Sequence, residues 1–83
     1  MKSESKETIA KELQKFVEEN ITDKAVAVEV KIPFHELGVD SISIIQIVLF
    51  IERKFNVSMT ESDLTQENLK SIYTLSEFIF NKN

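Results

Sequence analysis

A chain of 83 residues has room for one domain, which at this size buries only about 60% of the surface its unfolded form exposes. One Gly and one Pro are too few for the tight turns of a sandwich or barrel, and the supply of Glu, Lys, Leu and Ile favours an all-α bundle. The absence of Cys and the single His35 exclude a disulfide framework, a thiolate zinc site and a histidine metal cluster, while a net charge of −4 with scattered basic residues argues against nucleic acid.

The first seven residues are charged where a signal peptide needs an apolar stretch. The run from Ile42 to Ile51 is interrupted by Ser43 and Gln46 and is too short to span a bilayer. A soluble, cytoplasmic protein without a membrane span is therefore expected.

Ile9, Leu13, Phe16, Val17 and Ile21 recur at helical spacing, which predicts a first amphipathic helix from Glu4 to Asn20, with Asn20 as its stop. Val26, Val28, Val30 and Ile32 then alternate with Ala27, Glu29 and Lys31, the pattern of a half-buried strand. Nothing else in the chain alternates, so a strand would lack a partner, and the segment reads as an extended connection laid against a helix pair. Pro33 blocks helix at Ile32, and Phe34 and Leu37 look like loop anchors.

Asp40 precedes a run from Ser41 to Phe55 without Gly or Pro, and an Asp there can cap a second helix. Ile44, Ile47, Val48, Ile51 and Phe55 form its core face. Ile42, Ile45 and Leu49 form a second apolar line, and a helix apolar over more than half its circumference either widens its core stripe or meets a partner. Asn56 suits a left-handed helix end, Thr60 and Asp63 resemble a capping pair opening a short helical turn through Leu64, and Ile72, Leu75, Phe78 and Ile79 predict a last helix from Ser71 to Phe80. The expected architecture is a small four-helix bundle, three main helices and a short third one, in a single domain over 1–83 with its core at about 4–80.

Leu37-Gly38-Val39-Asp40-Ser41-Ile42 joins a glycine turn, an acidic cap and a serine at a helix start. Free amides and the positive end of the helix dipole would favour an anion on Ser41 there. On this ground alone Ser41 is equally a capping residue or a phosphorylation site. His35 has no nucleophile or orienting carboxylate reserved for it and reads as loop surface. Phe16, Phe34, Phe55 and Phe78 fall on core faces and read as packing.

The string Pro33-Phe34-His35-Glu36-Leu37-Gly38-Val39-Asp40-Ser41-Ile42, followed by a long apolar helix ending Phe55-Asn56-Val57, resembles the attachment motif of acyl carrier proteins. Asp63 to Ile72 and Leu75 to Ile79 resemble the third and fourth helices of that family, so the likeness covers nearly the whole chain. The resemblance implies a non-enzymatic carrier with phosphopantetheine attached covalently to Ser41 by a phosphopantetheinyl transferase that uses coenzyme A and magnesium. It implies Asp40 as helix cap and transferase recognition residue, and Ile42, Ile45 and Leu49 as a docking line for ligases, ketosynthases or acyltransferases. It also implies a monomer whose acyl cargo is sheltered in a cavity bounded by Ile47, Ile51 and Leu75.

Two departures bear on the pathway. Carriers of bacterial fatty-acid synthesis present several acids on the second helix, whereas here Ser43 and Gln46 are neutral and Glu52 is followed by Arg53 and Lys54, which favours apolar docking in a dedicated pathway. Val39 replaces the second glycine common in peptidyl carriers. An aminoacyl or aryl carrier is the close alternative to a fatty or polyketide acyl carrier, and a helical interaction module without an arm is the alternative from another class.

Overall fold

A computed structural model describes residues 5–23 and 27–82. Every regular element among them is helical: α1 (Lys6–Asn20), a 3-10 turn (Phe34–Leu37), α2 (Ser41–Phe55), a second 3-10 turn (Glu61–Asp63) and α3 (Ile72–Lys82). The all-α class with three main helices and one short helical turn in third place is as the sequence implies, and the third element is a single 3-10 turn.

Helix α1 begins at Lys6 because Ser5 is extended and its Oγ accepts the Thr8 amide at 3.2 Å. The Glu4 start expected from sequence lies outside the described residues. At the far end Asn20 is still helical and its side-chain amide donates to the Phe16 carbonyl at 3.1 Å, while the chain closes at Ile21, whose amide donates to Val17 O at 2.9 Å. Asn20 thus stops the helix through its side chain and not by a left-handed turn.

Val26 lies outside the described residues. From Ala27 the connection is irregular up to a turn at Val30 to Ile32, with Val28 buried and Val30 and Ile32 half-buried against the core. Its backbone is satisfied without a sheet: the Gln14 side-chain amide donates to Val28 O, and the Tyr73 amide donates to Val30 O at 2.8 Å. The alternation apolar-in, polar-out is real, and helices instead of strands receive its inward side. Pro33 leads into the first 3-10 turn, whose Phe34 and Leu37 are buried.

Helix α3 starts one residue later than expected, at Ile72, since Ser71 and Thr74 exchange side-chain-to-amide bonds of 3.3 and 3.0 Å across its first turn. It continues two residues past Phe80 to Lys82, whose ammonium reaches Asp63 at 3.3 Å. That same carboxylate accepts the Thr60 amide at 2.9 Å, so the second 3-10 turn and the end of α3 are joined.

Ile9, Leu13 and Val17 of α1, Ile47 and Ile51 of α2, and Ile72, Leu75 and Ile79 of α3 are the centre of the core, with α1 lying mainly against α3. Each such side chain contributes about 1.5–3 kcal/mol by leaving water. Ile47, Ile51 and Leu75, expected to bound a cargo cavity, are fully buried members of the core. The concavity beside Ser41 is elsewhere. Helix α2 is fixed to α1 by Phe50, which stacks on Phe16 with ring centres 4.3 Å apart and meets Phe55 edge-on.

Candidate functional site

The approach to Ser41 is set by three residues of backbone. Gly38 takes the left-handed conformation, φ 77° and ψ 21°, that a side chain disfavours, and turns the chain out of the first 3-10 turn. Val39 buries its side chain beneath that turn. Asp40 is extended and caps α2, its Oδ1 accepting the Ser43 amide at 2.8 Å, while its carbonyl accepts the Ile44 amide at 2.9 Å.

The Ser43 amide, followed by the Ser43 hydroxyl, holds the Asp40 carboxyl below its ordinary pKa, and the amides of Asp40 and Ile42 act in the same direction. The positive end of α2 is thus already answered by a carboxylate.

Ser41 is the first residue of α2 and is exposed, and among the described residues no hydrogen bond engages its hydroxyl. Beside it opens a concavity of about 690 Å³. Its apolar lining comes from Phe34, Val39, Ile44, Leu64 and Leu69; its polar lining comes from His35, Asp40, Gln66 and Lys70 in addition to Ser41 itself. The two walls are tied across the chain by the Phe34 amide, which donates to Lys70 O at 2.8 Å. The concavity therefore offers apolar and polar groups side by side. Among the described residues no group of acids and histidines could hold a metal ion.

The other residues picked out from sequence lie along α2. Ile42 is 70% exposed, Ile45 58% and Leu49 47%, while Ile47 and Ile51 on the opposite side are 1% and 0% exposed. Ile44 and Val48 of the expected core face are only half-buried, because they flank the stripe rather than centre it. The last turn of α2 carries Arg53 and Lys54, the latter 3.7 Å from Glu12, and the Glu52 carboxylate accepts the Ser58 hydroxyl at 3.2 Å. His35 is exposed, as read from sequence, yet it lines the concavity. Leu64, Gln66 and Lys70 were not legible as site residues, because only the path of the 56–71 connection brings them to Ser41.

The site is thus an exposed serine opening α2 of a short helical bundle, with a groove beside it and an exposed apolar line along the same helix. The family model described as "Phosphopantetheine attachment site" matches residues 7–79. An acyl carrier protein of Cyanidium caldarium is 33% identical over 79 residues, covering 94% of this chain and 90% of that one. A chain in the crystal structure of Bradyrhizobium japonicum glycine:[carrier protein] ligase complexed with its cognate carrier protein and an analogue of glycyl adenylate superposes with a TM-score of 0.72 at 22% identity, over 92% of this chain and 96% of that one. A chain in the complex of the same ligase with glycylated carrier protein gives 0.69 at 24% identity, over 89% and 96%.

The chain belongs to the phosphopantetheine-binding carrier family, that of the acyl carrier proteins. It is a carrier whose prosthetic group is phosphopantetheine, and not an enzyme. Among the described residues no helix is long and apolar enough to cross a membrane.

Proposed function

We propose that Ser41 is the residue that receives the arm, and that the chain works as a single, soluble, monomeric carrier domain in the cytoplasm, presenting an acyl group to enzymes of a dedicated biosynthetic pathway. The observation that carries this reading is the exposed Ser41 hydroxyl, unengaged among the described residues and lining a groove, within the span 7–79 that the family model matches.

In the loading step the Ser41 oxygen bonds to the phosphorus next to the pantetheine of coenzyme A, the pyrophosphate link breaks and adenosine bisphosphate leaves. The hydroxyl proton passes to a base on the transferase, which also holds the magnesium. Asp40 fixes the start of α2, so the hydroxyl stays outward, and its carboxylate stands next to the incoming phosphate for recognition by the transferase. When bound, the arm supplies a terminal thiol that holds the acyl group as a thioester. Ile42, Ile45 and Leu49 then dock the enzymes that load, process or unload it, ligases, ketosynthases and acyltransferases among them. With Ser43 and Gln46 neutral and only Glu52 acidic along this face, docking rests on apolar contact more than on charge steering.

An aminoacyl cargo is the second reading, supported by the similarity in fold to chains crystallised with a glycine ligase. Intact mass tests the first reading. Incubation with coenzyme A, magnesium and a broad-specificity phosphopantetheinyl transferase adds one phosphopantetheine to the wild type and none to Ser41→Ala. Equal gain in both would move the site off Ser41, and gain in neither would leave α2 as the surface of a helical interaction module. Offering the loaded protein to a fatty-acyl ligase and to an amino-acid ligase then separates the two cargoes by mass.

A further inference from the structure

Resting on the attachment at Ser41, we propose that Lys70 is the binding residue for the arm's phosphodiester, and that it draws the arm into the groove toward the 64–70 turn and away from the apolar line of α2.

The argument begins with charge. Asp40 is next to Ser41 in sequence, its carboxylate accepts the Ser43 amide of the first turn, and Glu36 lies in the 3-10 turn four residues before it. A phosphodiester on Ser41 therefore adds a negative charge to a carboxylate neighbourhood within a chain of net charge −4. The permanent cation that shares the concavity with Ser41 is Lys70. His35 also lines it but stands 3.9 Å from the Glu36 carboxylate, which competes for it.

Lys70 is placed for this task and committed to no other. Its carbonyl accepts the Phe34 amide at 2.8 Å, so its backbone is held against the turn that leads through Gly38 to Ser41. Leu69 before it packs on the core, and Ser71 after it is buried at the start of α3. Among the described residues its ammonium makes no ion pair within 4.0 Å, in contrast to Lys6, Lys54 and Lys82. A lysine with a fixed backbone, a free ammonium and a common groove with the attachment serine meets a phosphodiester as a point charge.

The consequence is directional. An arm held at Lys70 runs over Leu64 and Leu69 with Gln66 available to its amides, and Ile42, Ile45 and Leu49 stay uncovered for a partner. A docking enzyme that draws the arm into its own active site must break this contact, and salt weakens it in the free carrier.

The test uses the chain carrying its arm, made with coenzyme A and the transferase and verified by mass, so a failure of attachment is seen before the inference is examined. Backbone amide NMR spectra are compared with and without the arm. In the wild type, attachment should move the amides of residues 64–70 as well as those of 40–43. In Lys70→Gln the 64–70 shifts should shrink several-fold with the 40–43 shifts retained, Lys70→Arg should keep both, and raising salt from about 20 mM to about 500 mM should act like Lys70→Gln. Mass gain with shifts confined to 40–43, or a Lys70→Gln spectrum responding like the wild type, would overturn the proposal. The spectrum of the unmodified Lys70→Gln chain shows whether its fold is kept, and the salt series tests the contact in the native sequence.

Discussion

Ile45 and Ile47 are two residues apart on α2 and chemically identical, yet one is 58% exposed and the other 1%. Truncating each to Ala therefore separates docking from folding. Ile47→Ala removes a fully buried side chain from among Leu13, Ile51 and Leu75 and should cost about 2–5 kcal/mol. A domain of this length has roughly 4–12 kcal/mol in total, and at about 4–8 °C per kcal/mol the melting temperature should drop by roughly 10–40 °C. Ile45→Ala exchanges an exposed residue for a better helix former and should leave the melt within about 0.5 kcal/mol of wild type. If Ile45 docks the loading enzyme, its truncation should instead lower kcat/KM for transfer by about 5- to 30-fold, the equivalent of about 1–2 kcal/mol at an interface anchor. Thermal circular dichroism reads the first quantity and intact-mass time courses read the second. An Ile45→Ala variant that melts as early as Ile47→Ala, or that is loaded at the wild-type rate, would refute the division of α2 into a core side and a docking side.

Acid should weaken the fold through Asp63 and Asp40, whose carboxyls are held below their ordinary value near 3.8 chiefly by the Thr60 and Ser43 amides respectively. A depressed folded-state pKa gives stability that is present above that value and lost as pH falls through the folded one, so the melting temperature should decline below about pH 4, less steeply in Asp63→Asn. A flat melt across that range would count against these caps. Gly38→Ala should cost about 1–2 kcal/mol from backbone strain alone, since φ is 77° and a Cβ there meets no heavy atom within 4 Å. Gly38→Asn should recover part of the loss, and equal melts for Gly38→Ala and wild type would contradict the left-handed turn.

The periodic elements were legible in the sequence because burial imposes a period: Ile9, Leu13 and Val17 could serve only one helix face. The turn and helix start around Ser41 were legible because Gly38, Asp40 and Ser41 are local to each other and carry backbone geometry in their identities. What the sequence could not convey was the groove, since its far wall comes from Leu64, Gln66 and Lys70, about 25 residues further along, in a connection with no period of its own. The alternation from Val26 to Ile32 shows the converse. A period of two reports an inward and an outward side and leaves the partner unstated, here a helix pair reached through Gln14 and Tyr73. The Asp40 cap was legible because it is local: an acidic residue directly before the run from Ser41 to Phe55 reaches the Ser43 amide without help from the rest of the fold.

The stacked pair Phe16–Phe50 makes the two flanks of α2 different in kind. Toward α1 the helix is clamped by that stack and by Lys54 on Glu12; toward the Ser41 groove it faces a connection whose turns close on side-chain bonds of Asp63, Asn68 and Thr74. The two flanks are therefore held by different chemistry, an aromatic stack and an ion pair on one and a set of hydrogen bonds on the other.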